Sequence, residues 1–206
     1  MGPLAMAGLV CLGAAIGLGL LTSQARPGAS LEDRVRIRGL MTLAAAFVEG
    51  IGVFGIIVGV LSVELGKAAG ADSGAVCAAL ALTGTLVGIG LVARHIDRVD
   101  RQAAFLGAMF AMGLGVLGAV AGVLATIADE RATSLPQDWP FVTLGAVAGT
   151  AALLMGRAGG QALAAAALAD PIGLPAIRAR FIRGAIPLEL FGLGGAAIAI
   201  AILLFG

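Results

Sequence analysis

Six long apolar runs, separated by five short polar segments, organise this chain: 3–22, 40–63, 73–93, 103–127, 141–168 and 184–205. A helix needs about 20 mostly apolar residues to cross a bilayer, and each run meets that length. None has the polar stripe of a water-facing helix, and none alternates as a lipid-exposed barrel strand does. The predicted fold is an all-α integral membrane protein with six transmembrane helices. The first run is read as a span and not as a signal peptide, because no Lys or Arg precedes Arg26 and its apolar stretch exceeds a typical signal core. Trp139, between Asp138 and Pro140, suits an interfacial anchor at the head of the fifth span.

Composition narrows the class further. Of 206 residues 60% are hydrophobic and 12% charged, and the mean hydropathy is +1.06. A soluble domain carries about 25% charged residues, and disorder requires low hydrophobicity with high charge, so both are excluded. A net charge of +1 leaves no basic excess for phosphate backbones, so no nucleic acid partner is expected. The polar segments differ in sign. The first, third and fifth hold Arg26, Arg34, Arg36, Arg38, Arg94, Arg98, Arg101, Arg178, Arg180 and Arg183; the second and fourth hold only Lys67 and Arg131 among five acids. The positive-inside rule makes the odd loops cytoplasmic. Both termini are then on the non-cytoplasmic side of a multi-pass protein of the cell membrane. Cys11 and Cys77 lie within spans without motif spacing and read as small core residues.

The chain repeats itself. Phe47-Val-Glu-Gly-Ile-Gly-Val-Phe-Gly overlays Phe110-Ala-Met-Gly-Leu-Gly-Val-Leu-Gly without a gap, and Gly13, Gly17 and Gly19 share the spacing of Gly84, Gly88 and Gly90. In a third copy, Glu189, Gly192 and Gly195 keep the spacing of Glu49, Gly52 and Gly55. This gives three tandem helical hairpins: 1–66, 67–130 and 131–206. Small residues let membrane helices pack closely, and each of the six runs carries four or five glycines. A tight inner circle of first helices inside an outer circle of bulkier second helices, hence a ring, is the geometry this suggests.

Two carboxylates interrupt the apolar runs. At about 1.5 Å per residue, Glu49 is about 24 Å from the end of its helix near Leu65, and Glu189 about 25 Å from Gly206, so both fall at one depth. A charged carboxylate at mid-bilayer costs roughly 2.5–3.5 kcal/mol, and hydrocarbon tolerates the neutral acid better. Such a group can carry a proton through lipid and release it where water or a cation stabilises the anion. Met112 occupies the equivalent place in the second hairpin; a thioether holds no titratable proton, so that hairpin is chemically silent. Pro187 is expected to kink the sixth helix beside Glu189.

These features together resemble the proteolipid, the c or K ring component, of rotary ATPases. The likeness is strongest to the V/A type, whose chains carry duplicated or triplicated hairpins. Ala25-Arg26-Pro27 and Ala169-Asp170-Pro171 are similar to that family's Ala-Arg-x-Pro loop, with Asp170 where Arg is common. The resemblance implies a homo-oligomeric ring in membrane lipid, turned as protons bind Glu49 and Glu189. A stator subunit with two aqueous half-channels exchanges them, and the cytoplasmic loops dock a central stalk. It implies a non-catalytic protein with no cofactor, and no Walker-type phosphate loop is present. Sodium sites in the family add side-chain oxygens, whereas Val48 and Gly50 flank Glu49 and the first helix has only Thr22, Ser23 and Gln24 at its end, none near the level of Glu49. The transported ion is therefore expected to be H+, with Na+ disfavoured. Two carriers per three hairpins move fewer ions per ATP, which suits pumping against a steep gradient.

Arg157 is a possible modulator. Counted from Phe141 it falls near the depth of Glu189, where a cation would hold that carboxylate charged; the alternative is that it snorkels to the boundary. The competing function is a small proton-coupled transporter that uses Glu49 and Glu189. Transporters commonly have inverted repeats, whereas these repeats run in one orientation and no polar cluster awaits a substrate.

Overall fold

Six long helices account for the computed structural model, which describes residues 2–28, 30–67, 70–128 and 139–206. They are α1 (Gly2–Thr22), α2 (Leu31–Glu64), α3 (Gly70–Ala93), α4 (Arg101–Ile127), α5 (Trp139–Ala166) and α6 (Leu174–Phe205). All six are long and apolar enough to cross a membrane. Asp129, Glu130, Arg131 and Asp138 of the fourth polar segment, and the boundary between the second and third hairpins, lie outside the described residues.

Two helices begin well before their apolar runs. The segment 31–39, expected as loop, is the first part of α2. Its start is sealed by a capping box: the Ser30 hydroxyl accepts from the Asp33 backbone N–H, and the Asp33 carboxylate accepts from the Ser30 N–H. An Arg36–Glu32 pair one turn apart supports the same helix. Likewise 174–183 is helix, opened by Pro175 in its first turn, where a missing N–H does no harm. The arginines of the first and fifth polar segments therefore stand largely on helical extensions. Helix α6 continues through Pro187.

The helices form two rows. In one, α1 packs between α3 and α5; in the other, α2 packs between α4 and α6. α1 also packs on α2 and α4, so most of it is buried. The hairpin order in space is thus third, first, second. Glycine makes the α1 row possible. A methyl on Gly84 would stand 2.6 Å from the Leu12 Cα, and one on Gly145 2.6 Å from the Met6 Cα. Without side chains at those places the backbones approach directly and gain dispersion contacts that lipid cannot offer.

Polar ties hold the loops to this frame. Asp100 caps α4 by accepting from the Gln102 and Ala103 N–H groups, both at 3.1 Å, and its own N–H donates to the Ala25 carbonyl at 2.8 Å. Arg38 of α2 donates to the Asp100 carboxylate at 2.8 Å. At the opposite end Gly66, at φ 64°, turns the chain out of α2, and the Lys67 ammonium donates to the Leu203 carbonyl of α6 at 2.8 Å.

Candidate functional site

Helix register brings the three equivalent positions to one level. Gly52 of α2 is filled by Leu114 of α4 and Ala14 of α1, and Gly192 of α6 is filled by Ile51 of α2. Glu49 precedes Gly52 by three residues, Met112 precedes Leu114 by two, and Glu189 precedes Gly192 by three, all on helices that run the same way.

Glu189 sits half-buried in the groove between α6 and α2. Its Oε1 lies beside Gly50, where a methyl would stand 3.7 Å away, while Oε2 is buried with no hydrogen-bond partner. The carboxyl thus occupies space that α2 leaves open by having glycine next to Glu49. Glu49 is also half-buried, on the side of α2 that carries Gly52 and looks toward α4. Met112 lies about 200° around α4 from Leu114 and is 44% exposed, so it faces away from α2 on an open edge. Each of the three positions therefore looks in the same rotational direction: Glu189 toward α2, Glu49 toward α4, and Met112 outward.

Arg157 does not join this set. It is exposed on α5, next to Gly156, which meets the backbone of Gly17, and on a different face from Leu144 and Ala148, which meet α6 at Gly195. Among the described residues no ion pair links it to Glu189. Thr85, a hydroxyl that sequence reading passed over, donates to the Ala111 carbonyl at 2.9 Å in the second hairpin, beside Met112 and not beside either glutamate. Only its lack of a counterpart in the glycine repeat (Ala14 stands there) marks it in the sequence. Cys11 and Cys77 are free and buried. Among the described residues no cluster of His, Cys, Asp and Glu suits a metal ion.

Two half-buried carboxyls at one level, between long apolar helices, are groups that can each bind and release a proton. Comparison with known proteins bears on that chemistry: residues 1–62, which contain Glu49, match the ATP synthase C-subunit family. Neither a curated protein nor a solved structure gave a match to the chain.

Proposed function

We propose, from the match of residues 1–62 to the ATP synthase C-subunit family, that the chain is a rotor-ring component of a rotary ATP synthase or ATPase. The rotor is of the V/A type with a triplicated hairpin (1–66, 67–130 and 131–206). Glu49 and Glu189 carry protons, and Met112 marks a position that has lost its carrier. The chain itself is non-catalytic; a stator subunit with half-channels exchanges the ions, and the arginine-bearing ends meet a central stalk. Both termini lie on the non-cytoplasmic side of the cell membrane.

The observation that carries this reading is the shared level and shared facing of positions 49, 112 and 189. A ring passing a fixed stator presents every carrier at one depth and in one orientation. Copies placed head to tail in the order third, first, second hairpin seat α4 of one copy beside α6 of the next. Met112 then stands at the seam, while the grooves of Glu189 and Glu49 are each completed within a single chain. Moving one charge across the membrane is worth about 2.3 kcal/mol per 100 mV, and two such steps per chain supply the torque.

Carbodiimide labelling of membranes, read by mass spectrometry across a pH series with and without sodium, tests the proposal. Carbodiimides attack protonated carboxyls in apolar surroundings. Adducts at Glu49 and Glu189 that fade as pH rises and ignore sodium are expected. Protection by sodium would overturn the proton assignment, and absence of both adducts would overturn the carrier role.

A further inference from the structure

At the arginine-rich end of the molecule, between α2 and α6, lies a cavity of 740 Å³ whose lining includes Arg36, Leu40, Ala166, Leu174, Arg178 and Ile182. Its lining is graded. Arg36 precedes Ile51 by fifteen residues and Arg178 precedes Gly192 by fourteen, and since Ile51 fills Gly192, the two arginines stand at one level on their helices. Leu40 and Ile182 follow them by four residues each, one helical turn toward the membrane interior. Two cations at the mouth and an apolar floor beneath them have the polarity of a phospholipid.

The neighbouring cleft supplies the comparison. Between α2 and α4 a cavity of 460 Å³ has Arg38 and Arg101 at its mouth, with Met41, Phe105 and Leu106 in its lining. There the chain provides its own anion: Asp100, the N-cap of α4, binds Arg38, and its side chain is only 10% exposed. The N-cap of α6 is Gly173, which has no side chain to cap the helix. Among the described residues, Arg178 and the first turn of α6 therefore face the α2 cleft without a carboxylate like the one that binds Arg38 beside the α4 cleft. Glu32 answers Arg36 from the exposed surface.

We propose that an anionic phospholipid occupies the α2/α6 cavity, its phosphate held between Arg36 and Arg178 and its acyl chains lying along Leu40 and Ile182. Guanidinium groups recognise phosphate through paired, charge-assisted hydrogen bonds, and basic pockets between membrane helices bind anionic head groups. The bound lipid supplies at the third hairpin the negative charge that Asp100 supplies at the second, and it joins the third hairpin to the first. This inference needs only that the chain spans a membrane and is independent of the carrier assignment.

The test is native mass spectrometry of the protein released from mixed vesicles of phosphatidylglycerol and phosphatidylcholine. Retention of phosphatidylglycerol in preference to phosphatidylcholine is expected. Arg36→Gln or Arg178→Gln lowers that preference by about tenfold or more, the worth of one charge-assisted hydrogen bond, whereas Arg180→Gln, outside the cavity, preserves it. Gly173→Asp separates lipid loss from misfolding: a carboxylate at that N-cap, where a Cβ meets Ala169 at 3.4 Å, should expel the lipid while leaving α6 folded. Equal retention in wild type and both arginine variants would overturn the proposal. So would an equal fall in Arg180→Gln, or displacement by millimolar inorganic phosphate, which would mark a site for the free anion.

Discussion

Gly84 and Gly90 belong to the same repeated glycine pattern on the same helix, yet they should respond to alanine in opposite ways. A methyl at Gly84 meets the α1 backbone, 2.6 Å from the Leu12 Cα and 2.8 Å from its carbonyl oxygen. Ordinary contact begins near 3.4 Å, and the obstruction is main chain, so no side-chain rotation relieves it. α3 must move off α1 by the better part of an ångström. Overpacking of that kind costs about 1–3 kcal/mol. At Gly90 nothing lies within 4 Å, so Gly90→Ala removes only backbone freedom of the unfolded chain and gains about 0.5–1 kcal/mol. The assay is titration of the detergent-solubilised protein with sodium dodecyl sulfate, followed by helicity and by the fluorescence of Trp139, the single tryptophan. Gly84→Ala should unfold earlier than wild type and Gly90→Ala at the same point or later. A Gly84→Ala midpoint equal to that of Gly90→Ala would refute the direct backbone contact of α1 with α3.

Asp100 offers a pH-dependent test at the edge of the membrane. Burial raises its carboxyl, but the hydrogen bonds from Arg38 and from the Ala103 and Gln102 N–H groups, with the Arg38 charge, outweigh this and leave it below the usual carboxylate range. A lowered folded value means stability that is present at neutral pH and lost as pH falls below about 4. Asp100→Ala should cost about 0.5–2 kcal/mol at pH 7, and denaturant titrations of wild type and variant should converge in acid; a constant gap across pH would show that the charge contributes nothing. Met112→Glu should add a third carbodiimide adduct per chain to those expected at Glu49 and Glu189, because position 112 shares their level and faces outward. A folded variant that labels at Glu49 but not at 112 would count against equivalence of the three positions. Gly50→Leu should crowd the Glu189 carboxyl and slow its labelling relative to Glu49; unchanged relative rates would contradict the seating of that carboxyl beside α2.

Much of this molecule was legible in one dimension. The six spans follow from the length of each apolar run, since a segment without charge over about 20 residues has few stable places besides a bilayer. The repeat, the two glutamates and the methionine at the third equivalent place are matters of residue identity and spacing, visible before any folding. The helical extensions 31–39 and 174–183 were less visible, because their arginines attract attention as loop charge while the capping box at Ser30 and Asp33 passes unremarked. Arg157 shows a different limit: depth along a helix can be counted, but its facing depends on which side of α5 the neighbours take.

That last distinction separates the two sources of information. Apolar periodicity in a membrane helix is weak, because lipid and protein neighbours are alike in polarity, so the sequence by itself determined which segments cross and at what depth their unusual residues fall. Only the tertiary structure decided lateral order. The first hairpin sits between the other two because α1 offers glycine and alanine backbone to α3 on one side and α5 on the other. Shape complementarity between residues more than seventy positions apart, such as Gly13 against Gly149, selects that order, and no local pattern encodes it. The same packing seats the Glu189 carboxyl against Gly50, leaves Met112 on the open edge, and leaves a cationic cleft between α2 and α6, whereas beside the neighbouring cleft Asp100 pairs with Arg38.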